Sequence, residues 1–351
     1  MTVAGNLFEQ QRANRRRSAV LVAIFLAFFA WVGFGGDLGF YLTTSEAPPE
    51  AYHHTIPWFG IFATTLGIGM AWFAWKRGPK QVLWATGAWQ LIEPSSDEEK
   101  QLVNVVEEMA IASGLPRPNI WVVPDQDPNA FATGIDEHDA HVAVTEGLLT
   151  TLNRDELQGV VAHEMAHIRN YDVKLMTLLA ALVGVVAIIS DGAWRVMRFG
   201  SISRGRGGGG GGGRGGGGGG KKGGAGALGL IILVLWVLTL ILAPLVSRLL
   251  ALGVSRKREF LADATAAQFT RNPAALATAL RKVEDASAPT KAIKRGTAHL
   301  CIADPLGRRL TSKQGLFANA FATHPPMAIR IARLKRMAYQ YEQTGEIPEA
   351  L

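Results

Sequence analysis

The amino-acid sequence predicts a mainly helical α+β protein that is integrated into a membrane. The chain has 351 residues, of which 48% are hydrophobic and 19% are charged, a balance that excludes an intrinsically disordered chain. Its apolar residues gather into long uncharged blocks, which is typical of membrane-spanning segments. The polar sequence falls into two stretches, residues 93–172 and 255–351. We expect the chemistry of the protein to reside in these two stretches.

The first two apolar blocks predict a two-helix anchor, residues 18–80. Block one, Ser18 to Gly36, carries no charge and is longer than the roughly 7–15 apolar residues of a cleaved signal peptide. Block two, Ile56 to Trp75, has tryptophans near its ends, as an aromatic belt predicts. The loop between them lacks Lys and Arg, whereas basic residues occur in residues 1–17 and just after block two. The positive-inside bias therefore predicts that both flanks face the cytoplasm.

Two further apolar blocks predict a hydrophobic hairpin over residues 173–250. Block three, Leu175 to Ser190, is short for an independent span, and block four, Ala227 to Val246, is long enough. Two full crossings and a hairpin embedded from the cytoplasmic side both remain open. The connection contains an Arg/Gly-rich tract, residues 204–224, which we interpret as a flexible linker. RNA-binding tracts of this kind usually add aromatic residues for stacking, and this one has none.

A helix with a metal-binding motif is predicted before the hairpin. Asn153 and Glu156 have the spacing of a helix N-cap and its capping-box partner. The same helix contains His163-Glu164-Met165-Ala166-His167. Because residues four apart share a helical face, the two imidazoles can bind one metal ion, while Glu164 can reach a metal-bound water. With a single cysteine in the chain, Cys301, further ligands should be histidines or carboxylates.

A zinc ion bound by two histidines needs a third protein ligand and an open position for water. The residues after His167 do not fit the pattern HExxHxxGxxH, so we expect a distant carboxylate. Glu259 and Asp263 are four apart on a predicted helix after the hairpin. One of the two can bind zinc, and the other can accept the free N–H of a ligand histidine. Spacing alone does not decide between them, and an ordinary solvated face beside residues 256–258 is the alternative.

Three features together resemble one family of membrane zinc metallopeptidases: the HEMAH motif, the hydrophobic hairpin and the EFLAD stretch at 259–263. This is the HtpX and CAAX prenyl protease family, whose members are gluzincins. The resemblance is greatest to its bacterial branch. Three further stretches agree with the family pattern: PNAFATG at 128–134, VAVTEGLL at 142–149, and THPP at 323–326 with Arg330. The resemblance covers roughly residues 93–336. It implies a zincin-type metalloprotease domain that the hydrophobic hairpin interrupts.

The resemblance also implies roles for individual residues. His163, His167 and Glu259 would bind one Zn²⁺ per chain, Glu164 would be the catalytic base, and Asp263 would support a ligand histidine. Two residues match catalytic or substrate positions near the active site, although either could instead be structural: His324 and Arg330. A further segment would be an edge strand whose free backbone groups pair with an extended substrate. It consists of Asn129, Ala130, Phe131 and Ala132, and an ordinary turn and strand is the alternative.

These features predict a zinc endopeptidase of the bacterial inner membrane with its active site facing the cytoplasm. By resemblance, its partners are the lipid bilayer and unfolded or misassembled proteins; nucleic acid is not expected, and the oligomeric state is not determined. An intramembrane protease is disfavoured because charged residues flank the HExxH helix. A membrane scaffold or RNA tether with a structural zinc site would need a fourth protein ligand, and none is obvious near Glu259.

Overall fold

The structure, a computed structural model, describes residues 3–44, 56–182, 231–239 except 233 and 237, 256–286, 292, 300–303, 325–345 and 347. The chain divides into two compact units. The first contains Met1–Val20, Phe73–Ala181 and Leu249–Leu351, and the second contains Leu21–Trp72 and Leu182–Arg248. The predicted glycine-rich linker, most of block three and most of block four lie outside the described residues.

Two long helices contain the first two apolar blocks. They are α1, Val3–Thr44, and α2, Trp58–Ala85, and both are long and apolar enough to cross a membrane. Within the second unit they approach closely, because a Cβ placed on Gly33 would lie 2.7 Å from the Cα of Gly60. The same region gives Asp37 a partner, since the backbone N–H of Gly60 donates to its carboxylate at 2.5 Å. A glycine contact of this kind is typical of helices that pack inside a membrane.

The first unit contains a four-stranded sheet with the order β1-β2-β4-β3. The strands are β1, Trp89–Gln90; β2, Asn119–Val123; β3, Ala130–Gly134; and β4, Ala140–Thr145. β2 runs parallel to β4, while β1 and β3 are antiparallel to their neighbours. β3 therefore occupies one edge of the sheet, and all of its residues are buried.

The HExxH helix is one of several helices in this unit. They are α3, Asp97–Ser113; α4, Glu146–Thr151; α5, Arg154–Arg169; α6, Arg256–Thr270; α7, Pro273–Asp285; and α8, Met327–Thr344. α5 contains the HExxH motif and packs against α3, α6, α7 and β3. Its apolar residues join the hydrophobic core of the unit. The motif thus lies within the packed core of this unit.

The local sequence explains where α5 begins and how the chain leaves it. The predicted capping box is present, because Asn153 accepts from the N–H of Glu156 and Glu156 accepts from the N–H of Asn153, each at 2.9 Å. After α5 the chain turns at Tyr171, and residues 172–182 are helical and largely buried. The first compact unit extends to Ala181. The start of block three therefore packs within the first unit, beyond residue 172.

Candidate active site

Three side chains from α5 and α6 converge on one point. Nε2 of His163 and Nε2 of His167 lie 3.2 Å apart, and oxygens of Glu259 lie 3.8 Å and 3.6 Å from them, respectively. Ligand atoms bound tetrahedrally to zinc at about 2.0–2.2 Å are separated by roughly 3.3–3.6 Å. Each of the three residues offers one ligand atom, and these atoms lie within 4.8 Å of one another. Among the described residues, this is a cluster that could hold a metal ion. The donor set and its spacing therefore fit a metal ion.

Helix packing brings the third of these residues to the other two. The histidines lie one turn apart on α5, and Glu259 lies in the first turn of α6, which packs on α5. The buried positions of α6 include several small side chains, which allow neighbouring helices to approach closely. The buried alanines of α6 are Ala262, Ala264, Ala266 and Ala267.

A buried ion pair orients His163. Its Nδ1 lies 3.0 Å from Oδ1 of Asp263, which leaves Nε2 directed at the ligand cluster. Arg330, fully buried, donates to both oxygens of Asp263 at 2.7 and 2.9 Å and to the carbonyl of Ile302 at 2.9 Å. Burial lowers the pKa of His163 to about 4 despite the Asp263 hydrogen bond, so the imidazole is neutral, as a metal ligand must be.

A second carboxylate, which the sequence analysis did not identify, orients His167. Nδ1 of His167 lies 3.2 Å from Oδ2 of buried Asp172. Burial by itself lowers the pKa of His167, but the hydrogen bond to Asp172 and the charge of Glu259 together raise it to about 9. Each of the two histidines thus has its own carboxylate on Nδ1, which leaves Nε2 as the atom directed at the cluster. A metal ion binding there would displace the Nε2 proton of His167. The position of Asp172, five residues after His167, was the signal available in the sequence.

The carboxylate of Glu164 lies beside this cluster. Glu164 is buried, and burial raises its pKa to about 7 against the opposing charge of His167. Its Oε1 accepts no hydrogen bond from the described residues. It lines a small cavity with His163, His167, Glu259 and the opposite segment at residues 300–302. A substrate carbonyl and a water molecule entering this cavity would meet the carboxylate and the ligand cluster together.

Comparison with known proteins identifies the family. A model of Peptidase family M48 matches residues 96–338, more than half of the chain. This chain belongs to peptidase family M48. Among its relatives, the Protease HtpX homologues of Lactobacillus helveticus and Streptococcus gordonii are each 36% identical, and that of Listeria monocytogenes serotype 4b is 39% identical. Each alignment covers 94% of this chain and 100% of the relative.

One solved structure was also compared. The crystal structure of S. mikatae Ste24p aligns with 90% of this chain and 66% of that chain, at 15% identity and a TM-score of 0.43. That score is too low to carry an argument. The M48 match and the HtpX relatives are sufficient: the predicted family is confirmed, and the chain is a membrane-bound metallopeptidase that uses a metal ion.

The edge strand of this M48 peptidase is not open along its length. β3 lies at the sheet edge as predicted, but the carbonyl of Ala130 accepts from the N–H of Ile302 at 2.9 Å. Phe131 forms an antiparallel bridge with Cys301, and Asn129 donates to the carbonyl of Ala303 at 3.0 Å. The expectation of free backbone groups is therefore wrong at Ala130, because residues 300–303 lie along the strand. Cys301 is buried, as expected for a small apolar side chain.

The two remaining predicted site residues have different outcomes. His324 lies outside the described residues. Arg330 is close to the ligand cluster, with Nη1 3.4 Å from Glu259 and Nη2 3.3 Å from Nε2 of His163, but it is not among the described residues that line the cavity. The donors of Arg330 are directed at protein acceptors, which is the geometry of a supporting residue.

Proposed function

We propose that this peptidase is a zinc-dependent endopeptidase that binds one Zn²⁺ per chain through His163, His167 and Glu259. The observation that carries the proposal is the convergence of two Nε2 atoms and one carboxylate beside the buried Glu164. Three protein ligands with a cavity alongside are typical of catalytic zinc sites, whereas structural sites have four. This donor set disfavours the alternative of a membrane scaffold or RNA tether with a structural zinc.

The residues of the site divide the chemistry among them. A bound zinc ion would polarise the scissile carbonyl and make water a stronger acid. Glu164 takes the proton from the attacking water and returns it to the leaving amine, so one carboxylate serves as base and then as acid. Asp263 and Asp172 hold the ligand histidines by Nδ1. Arg330 would act as a positioning residue, because its guanidinium donates to both oxygens of Asp263 and it is not among the described residues that line the cavity.

We propose that the substrate is an extended segment of an unfolded or misassembled membrane protein. A segment that pairs with the backbone of β3 is bound with little dependence on its sequence, which suits a protease for protein quality control. Asn129 to Ala132 would supply the pairing groups. Because residues 300–303 now occupy the edge at Ala130, substrate binding there requires that segment to move away.

The proposed location is the bacterial inner membrane, with a multi-pass anchor and the site facing the cytoplasm. The basic residues that flank α1 and α2 support this orientation. The first compact unit is consistent with it, because the residues before the apolar part of α1 and those after α2 belong to the same unit as the HExxH helix.

The proposed mechanism is tested with purified Glu164→Gln protein in detergent. We expect this variant to retain zinc and to lose hydrolysis of an unfolded protein by about 10²–10⁴-fold, the usual contribution of a general acid–base. Asp155→Asn, an exposed position in the first turn of the same helix, is the matched control and should retain the parent rate. Parent-rate cleavage by Glu164→Gln, with contaminating proteases excluded, would show that the mechanism is wrong.

A further inference from the structure

A buried side chain near the N-terminal end of helix α1 contacts Asp172, the carboxylate on Nδ1 of His167. Asn14 lies one turn before the first apolar block, in a segment whose arginines are exposed, yet it is 0% exposed itself. Its Nδ2 donates to Oδ1 of Asp172 at 2.6 Å and to the carbonyl of Asn170 at 3.1 Å. Buried amides are retained where their hydrogen bonds are satisfied by specific partners. The partners here belong to the turn that follows the HExxH helix.

That turn has an unusual backbone conformation. Tyr171 has a φ of 56°, in the left-handed region that bulky residues rarely adopt. The guanidinium of Arg15 lies 4.9 Å from the centre of the Tyr171 ring. Strained residues of this kind persist only where the surroundings hold them. Helix α1 thus holds the turn at both of its ends and at its centre, and the turn determines where Asp172 points.

Asp172 in turn orients a ligand histidine. Its Oδ2 lies 3.2 Å from Nδ1 of His167, while its Oδ1 receives the amide of Asn14. The other ligand histidine has an equivalent arrangement, in which Asp263 contacts Nδ1 of His163 and Arg330 donates to Asp263. Each carboxylate–histidine pair therefore has buried donors behind it. Arg330 lies behind Asp263, and Asn14 lies behind Asp172, where Nη1 of buried Arg258 is also 3.7 Å from Oδ1.

We propose that Asn14 is a positioning residue of the metal site, so that the first membrane helix completes that site. The proposal rests on the ligand set proposed above. Asn14 fixes one oxygen of Asp172, which keeps the other on Nδ1 of His167 and keeps Nε2 directed at the ion. Residues that support metal ligands in this way commonly change metal affinity by about 10–100-fold.

The test compares Asn14→Ala with Ser18→Ala in the full-length protein in detergent. Ser18 lies one turn further along the same helix, is buried, and its hydroxyl forms no hydrogen bond with the described residues. Three properties are measured: Zn²⁺ affinity by chelator competition, the visible spectrum of the Co²⁺-substituted protein, and the melting temperature of the metal-free protein. A third variant, Asn14→Ser, keeps a short donor at the same position.

We expect Asn14→Ala to bind Zn²⁺ about 10-fold more weakly and to shift the Co²⁺ spectrum, whereas Ser18→Ala stays within twofold of the parent. Asn14→Ser should recover part of the affinity, which also covers the case in which Asn14→Ala does not accumulate. Equal Zn²⁺ affinities of Asn14→Ala and Ser18→Ala would overturn this inference but not the ligand assignment. A lower melting temperature of Asn14→Ala with an unchanged Co²⁺ spectrum and Zn²⁺ affinity would do the same. A parent protein that binds no zinc would overturn the ligand assignment as well.

Discussion

Replacing Arg330 by Met would test whether this residue supports the site or takes part in catalysis. From sequence, Arg330 could be a catalytic, substrate-contacting or structural residue, and in the structure its guanidinium is fully buried against Asp263. Met removes the charge and keeps most of the apolar stem. The substitution would leave Asp263 as a buried carboxylate without its cation, and the carbonyl of Ile302 without its donor.

The size of the effect follows from these contacts. Breaking a buried ion pair by removing one partner costs about 3–5 kcal/mol, and for a unit of this size a melting temperature falls by roughly 2–4 °C per kcal/mol. We therefore expect the metal-free protein to melt on the order of 10 °C lower. Zinc affinity should fall by about 10–100-fold, because Asp263 no longer holds His163. Arg330→Lys should lie between parent and Met, since an ammonium group cannot make the two parallel bonds to Asp263.

The assay is thermal unfolding of metal-free protein in detergent, with chelator competition for zinc. Arg336→Met is the matched control, because Arg336 is exposed on the same helix, and we expect it to change stability by no more than about 0.5 kcal/mol. An Arg330→Met protein with the melting temperature and zinc affinity of the parent but little activity would refute the supporting role. That result would indicate that Arg330 contacts the substrate or stabilises the transition state.

Three further predictions concern the ligand set, the topology and the glycine-rich tract. Glu259→Ala should lose zinc on dialysis while Glu284→Ala, at an exposed position on α7, retains it; unchanged metal content would redirect the search for the third ligand. Reporter fusions at Pro94 and Leu351 should both show a cytoplasmic location, and an external location for either contradicts the proposed orientation. Deleting 207–220 should keep zinc binding and proteolysis within a few-fold of the parent, because closing a shorter loop changes entropy only logarithmically; an inserted, zinc-loaded but inactive deletion would show that the tract is more than a linker.

Much of the local architecture could be predicted from the sequence, because it depends on short-range periodicity. The capping box at Asn153 and the single helical face shared by His163 and His167 follow from spacings of three and four residues on a helix. The anchor helices follow from long uncharged runs. Such features need no knowledge of how distant segments pack.

Spacing could not show which carboxylate of α6 lies beside the metal-binding atoms and which lies beside Nδ1 of a histidine. Glu259 and Asp263 are one helical turn apart, and either could take either position. The way α6 lies on α5 decides the matter, with Glu259 beside both Nε2 atoms and Asp263 beside Nδ1 of His163. The edge of β3 is a similar case. Its position was predictable from the motif, but its pairing with residues 300–303 was not.

The sequence by itself determined the membrane helices, the HExxH helix and the family of this peptidase, because each depends on residues that are close together in the chain. Only the tertiary structure showed that Asp172 lies on Nδ1 of His167 and that Asn14 and Arg330 donate to the two carboxylates. Asn14 and Asp172 are separated by 158 positions, and Arg330 and Asp263 by 67. No periodicity connects residues so far apart; they meet because the packing of the first unit buries their polar groups together, where each needs a hydrogen-bond partner.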